Sequence, residues 1–202
     1  MLRAIQVKEF GGPEVLKWVE IDLGEPGPGE ARVAHKAVGL NFIDTYRRSG
    51  LYPLDLPSGL GTEASGIVIS VGPDVHHVSP GDRVAYAMGP QGSYSEERIM
   101  PAKWLVRLPE NISNEVAASM MLKGLTSWYL LRQTYSVQPG DWILLYAAAG
   151  GVGLIAVQWA RKLGAHVIGV VSTEEKRQLA LQHGCEAVLL ATDDIVTKVR
   201  DL

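Results

Sequence analysis

One segment constrains the fold more than any other. Trp142-Ile143-Leu144-Leu145-Tyr146 is followed by Ala147-Ala148-Ala149-Gly150-Gly151-Val152-Gly153 and then by a helix-forming run to Leu163. The 19 residues from Trp142 to Ala160 carry no formal charge, which is about the length of a membrane span. Gly150, Gly151 and Gly153 fall near the middle, and the residue pattern changes across them, so a buried strand, a tight turn and a helix account for the run better than a span does. A strand entering a helix through small residues is an arrangement that binds a pyrophosphate. The backbone can approach the phosphates, the helix N-terminus presents unpaired N–H groups, and the last glycine lets helix and strand pack closely. Against the pattern G-x-G-x-x-G, Ala148 stands in the first glycine's place. A turn made only for packing is the competing reading.

The succession of elements beyond the turn favours the anion site. Gly164 caps the helix over 151–163, a strand is expected over 166–171 and a helix over 173–183, Gly184 stops that helix, and a short strand (187–190) and a last helical run complete the chain. This is β-α-β-α-β, the first half of a doubly wound parallel sheet, preceded by helical patterning over 126–135 and a break at Pro139-Gly140-Asp141. The end of the second strand decides which dinucleotide fits, because an acidic residue there would hold a ribose 2′-hydroxyl. Here Ser172 stands in that place, with Lys176 one helical turn beyond, where its ammonium can meet a 2′-phosphate. NADPH is expected over NADH; Glu174 and Glu175 count the other way, and Lys176 also reads as a solvated lysine on a helix face.

Residues 1–125 read differently. Short apolar runs (3–7, 31–38, 66–71, 83–87) alternate with turn clusters such as Gly72-Pro73-Asp74 and Pro80-Gly81-Asp82, which suggests a compact, partly open barrel. Within it, residues 41–49 look helical, with Gly50 as the stop. The expected fold class is therefore α/β, with a β-barrel domain over 1–125 and half a dinucleotide domain over 126–202. Nineteen basic and 22 acidic residues give a charge of -3 with no basic stripe, which counts against nucleic acid as a partner. The single cysteine, Cys185, cannot close an intrachain disulfide, and charges near the start interrupt any signal-peptide core, so a cytoplasmic location is expected.

Gly140-Asp141, Leu144, Ala148-Ala149-Gly150-Gly151, Gly153, Gln158 and Arg161 fall at the spacing of a long signature, and the chain resembles the quinone oxidoreductase and ζ-crystallin family of the medium-chain dehydrogenase/reductase superfamily. Gly12 to Leu16, Val38 to Asp44, Arg48 to Pro53, Gly81 to Ala85 and Met121 to Thr126 agree with it, in order. The resemblance implies a GroES-like barrel domain followed by a Rossmann domain, with the nicotinamide of NADPH in the cleft between them. It implies that Asn41 lies near the nicotinamide ribose with Asp44 and Tyr46 beside it, that Thr126 lies near the carboxamide, and that Tyr52 lines a quinone pocket. Ala148, Gly150, Gly151, Val152 and Gly153 would hold the diphosphate, and Ser172 and Lys176 the 2′-phosphate. Asn41 also reads as a helix cap and Tyr46 as a core aromatic.

Zinc-dependent relatives place a cysteine early in the barrel and a His-Glu pair where this chain has Thr62-Glu63. With Thr62 in the histidine's place and no cysteine before Cys185, the ligand set of a catalytic zinc is missing. His76-His77 lacks a third ligand nearby. Hydride transfer to a quinone, whose carbonyl is electrophilic already, suits that. An enone or acryloyl-type reductase uses the same hydride geometry, and a catalytically silent binding or structural protein is a third reading. Many relatives carry a tyrosine after the third strand where this chain has Ala191, which puts cofactor affinity in question. A complete domain has strand order 3-2-1-4-5-6, and no fourth strand is expected here. The strand over 142–146 is then expected as an exposed apolar edge, and a fragment, a chain completed by a partner, and a short product without turnover remain open; complete family members form homodimers.

Overall fold

The structure is a computed structural model that describes all 202 residues. Its contacts divide the chain into two compact units, Met1–Leu122 and Lys123–Leu202.

The first unit is built from β1 (Leu2–Val7), β2 (Lys17–Ile21), β3 (Glu30–Val38), α1 (Phe42–Ser49), β4 (Ser58–Gly59), β5 (Glu63–Val71), β6 (Arg83–Ala87), β7 (Glu97–Pro101) and β8 (Val106–Arg107). Two antiparallel sheets result, ordered β2-β1-β4 and β7-β3-β5-β6-β8. They are laced together where Ile5 N–H donates to the Tyr94 carbonyl at 2.7 Å and Glu96 N–H to that of Arg3 at 2.9 Å. Alternation along the strands points Ala31, Val33, Ala64, Val68, Val84, Tyr86 and Met100 into one core. β5 starts at Glu63, three residues before the apolar run suggested, because the first residues of the strand are buried polar or small ones.

The helix α2 (Asn114–Trp128) begins well before the expected start at Thr126 and carries the boundary between the units. Its start is set by Ser113, whose Oγ accepts the Val116 N–H at 3.2 Å and whose carbonyl accepts that of Ala117 at 3.0 Å. Beyond Trp128 the chain widens into a π-helical turn over Tyr129–Thr134. The second unit then alternates β9 (Trp142–Tyr146), α3 (Gly151–Lys162), β10 (His166–Val171), α4 (Glu174–Gln182), β11 (Ala187–Leu190) and α5 (Ile195–Arg200). Its three strands are parallel in the order β11-β10-β9. β10 is buried on both faces, as a central parallel strand must be. β9 is not: it lies at the sheet edge, and Trp142, Leu144 and Tyr146 are 53%, 40% and 63% exposed. No helix is long and apolar enough to cross a membrane, the 142–160 run included.

Candidate functional site

In the second unit the turn over 147–153 is shaped by main-chain groups. Ala147 takes a left-handed conformation (φ +53) at the end of β9, and its carbonyl accepts the Gly150 N–H at 2.8 Å. The chain then enters α3 with Gly150 as N-cap and no side chain capping the helix, so the N–H groups of the first turn have no partner within it. Gly153 is obligatory, because a Cβ there would stand 2.3 Å from the Ala147 carbonyl oxygen. Gly151 has a different reason: its Cβ would meet Lys123 Cδ and Cε at 2.9 Å. Ala148, in the place of the first glycine, is fully buried and faces Gly169 on β10, where a Cβ would come within 2.8 Å of Ala148 Cβ. Thus Ala148, Gly150, Gly151, Val152 and Gly153 form one turn, shaped so that a diphosphate could lie against amides.

At the end of β10, Lys176 Nζ donates to Ser172 Oγ at 3.1 Å. Thr173 caps α4 by accepting the Lys176 N–H at 3.3 Å, which fixes the lysine one turn from Ser172. Of the two acidic neighbours that counted against a phosphate, Glu174 pairs with Arg177 at 2.9 Å. A cavity of about 550 Å³ opens beside this pair, lined by Ala149, Glu175, Lys176, Gln178, Leu179 and Gln182. Thr126 sits on α2 next to the fully buried Ser127, whose Oγ donates to the Lys123 carbonyl at 2.9 Å.

The first unit holds the other expected residues in two groups. Asn41 is the N-cap of α1, and its N–H donates to Asp44 Oδ2 at 3.1 Å. The Tyr94 hydroxyl donates to the same oxygen at 2.7 Å. Burial, reinforced by the Asp44 carboxylate, pushes the Tyr94 hydroxyl far above its usual pKa, so Tyr94 stays a donor at any ordinary pH. The Asn41 amide in turn donates from Nδ2 to Glu63 Oε2 at 2.7 Å. Asn41, Asp44 and Tyr94 line a cavity of about 420 Å³ whose apolar wall includes Leu16, Leu40, Phe42 and Leu60. The second group is a row of rings. Phe42, Tyr46 and Tyr52 pack edge to face at 5.5 Å each, with Phe42 and Tyr52 well exposed and Tyr46 between them. Tyr46 is therefore half-buried, part of a surface aromatic row and not a core residue.

The cap reading of Asn41 holds together with its side-chain bond to Glu63. Glu63, Tyr94, Lys123 and Ser127 received no role from the sequence. For Glu63 a signal was present: a charged residue heading the otherwise uncharged stretch Ala64-Ser65-Gly66-Ile67-Val68 is buried only if something pairs with it. Tyr94 sits among the turn residues of 88–95 and nothing local marks it. His77, exposed, places Nε2 2.8 Å from the Ala102 carbonyl.

Comparison with known proteins gives a consistent account of both units. Residues 27–110 match the alcohol dehydrogenase GroES-like domain, and residues 151–202 match a domain described as zinc-binding dehydrogenase. Over the whole chain, identity to a quinone oxidoreductase of Pseudomonas aeruginosa is 53% and to a 2-haloacrylate reductase of a Burkholderia species 44%. The crystal structure of Escherichia coli quinone oxidoreductase complexed with NADPH superimposes with a TM-score of 0.96 at 50% identity, covering 98% of this chain and 62% of that one. The chain spans 63% of the length of both relatives matched by sequence.

Proposed function

Since the chain belongs to the quinone oxidoreductase family of the medium-chain dehydrogenase/reductase superfamily, we propose that it serves zinc-independent, NADPH-dependent reduction of a quinone. The observation that carries this reading is the Lys176–Ser172 pair, set one strand over from an uncapped glycine turn in the same unit. A hydroxyl and an ammonium 3.1 Å apart form a place for a 2′-phosphate, and an aspartate there would repel one. The turn fits the diphosphate because the cradle is made where any Cβ at position 153 would collide with main chain.

NADPH, when bound, supplies a hydride from nicotinamide C4, and with one proton the quinone leaves as a hydroquinone while NADP⁺ remains. The residues of this chain bind and orient. The amides of 151–153 and the α3 N-terminus hold the diphosphate, and Ser172 and Lys176 hold the 2′-phosphate. Asn41 is assigned to the nicotinamide ribose, with Asp44 and Tyr46 beside it, and Thr126 to the carboxamide. Tyr52, exposed at the end of the aromatic row, offers a ring face on which a flat quinone stacks. Water can protonate the reduced oxygen, so no acid at the ring is required.

A second reading, reduction of a double bond conjugated to a carbonyl or carboxylate, is favoured by the 44% identity to the haloacrylate reductase. Steady-state rates on a quinone against those on an acrylate separate the two. The binding test is direct. NADPH titrated into the chain should raise nicotinamide fluorescence, and Lys176→Ala should weaken NADPH about tenfold or more, equivalent to ~1.4 kcal/mol, while changing NADH by less than about twofold. Equal losses for both cofactors would remove the 2′-phosphate assignment.

A further inference from the structure

The Glu63 side chain heads β5 and has no exposed surface, yet both its oxygens are committed. Oε2 accepts from Asn41 Nδ2 and Oε1 from the Leu122 main-chain N–H, each at 2.7 Å, the short end of the range for such bonds. The surroundings are shaped around this carboxylate. Gly39 takes no side chain because a Cβ would stand 2.3 Å from Glu63 Oε2 and from the Ala118 carbonyl, and the Gly39 N–H donates to the Glu63 carbonyl at 2.8 Å.

We infer that Glu63 is the positioning residue of the cofactor site: its carboxylate holds the Asn41 carboxamide in one orientation, so that the nicotinamide end of NADPH meets a preformed partner. This rests on the assignment of Asn41 to the nicotinamide ribose. A carboxylate can only accept, whereas the two branches of an asparagine amide differ, one donating and one accepting. Facing Glu63, the amide must offer Nδ2, and its oxygen takes the other branch. The choice between two flip states is thus made by a buried charge before any ligand arrives, and the ordering that binding would otherwise require is already in place. Replacing the carboxylate by an amide of the same shape breaks this logic. Glutamine has one NH₂ branch, and whichever oxygen it replaces, an N–H donor from Asn41 or from Leu122 then faces another donor.

The test compares NADPH with adenosine 2′,5′-bisphosphate, which carries the 2′-phosphate but no nicotinamide end, by titration calorimetry on the full chain. Glu63→Gln should weaken NADPH about tenfold and leave the bisphosphate within about twofold. Loss of both ligands in parallel would mean that Glu63 only stabilises the fold, and loss of neither would mean that it orients nothing; either result overturns the inference. Asn41→Ala separates this from the underlying assignment. If that variant binds NADPH as wild type does, the assignment of Asn41 fails; if it weakens NADPH and Glu63→Gln does not, only the role of Glu63 fails. Should Glu63→Gln not fold, Glu63→Asp keeps a carboxylate but, one methylene shorter, cannot reach Asn41 Nδ2 and the Leu122 N–H together. It should weaken NADPH about tenfold with the bisphosphate within about twofold, and a folded Glu63→Asp chain that binds both as wild type does would refute the proposal.

Discussion

At the scale of single residues, what decides the behaviour of this chain is which polar groups are buried and what they face. His35 shows this away from the proposed site. Its Nδ1 lies 2.7 Å from the Ser95 carbonyl and its Nε2 2.8 Å from the Tyr86 hydroxyl, so Nδ1 carries the proton and Nε2 accepts. Burial above all, and the nearby Arg98, lower its pKa from 6.5 to about 4. The unfolded chain therefore binds a proton that the folded chain refuses between those two values, and stability falls as the pH drops from about 6.5 to about 4. The loss is at most ~1.4 kcal/mol per pH unit. Urea midpoints measured from about pH 7 to about pH 4.5 should fall less steeply for His35→Gln than for wild type, and parallel curves would show that His35 is not the group responsible. Little of this was legible beforehand, because a histidine's partners come from distant strands: Tyr86 from β6 and Ser95 from the loop before β7. Lys176 was legible for the opposite reason. Its partner, Ser172, lies one helical turn away, and local spacing was enough to place them together.

Elements were legible where the punctuation was strong. Gly50, Gly164 and Gly184 all adopt positive φ at the ends of helices, as their positions after periodic runs suggested. The strands at 83–87, 166–171 and 187–190 came out at the expected residues because turns bracket them closely. The start of α2 was missed. Ser113-Asn114-Glu115 is an N-terminal capping signal, but it lies within the stretch that composition assigned to the barrel, and Gly124 interrupts the helical pattern further on. Capping contributes where packing is sparse. Ser113→Ala removes the bond to the Val116 N–H and should lower stability by about 1 kcal/mol, read as a shift in the denaturant midpoint at unchanged slope. Ser113→Asp should retain most of it, since a carboxylate accepts the same N–H and suits a helix N-terminus. If alanine costs nothing, the helix is held by its packing alone.

At the largest scale, the order β11-β10-β9 puts β9 at the edge of the sheet these 202 residues form, with Trp142, Leu144 and Tyr146 exposed along it. Such a strand is a template for another. A polypeptide of these 202 residues should associate as its concentration rises, by sedimentation velocity, and Leu144→Lys should suppress association while leaving the circular dichroism unchanged. A wild-type chain that stays monomeric throughout would show that the edge is inert. The division into an antiparallel part and a parallel part could be read from the change in periodicity along the sequence, but the link inside α2 could not. The rungs of a helix ordinarily answer only to one another. One rung of α2, the Leu122 N–H, is also tethered to a carboxylate whose second oxygen grips the loop entering α1. Any twist or slide of α2 about its own axis must pull on that loop as well, so two segments far apart in the chain move as one linkage.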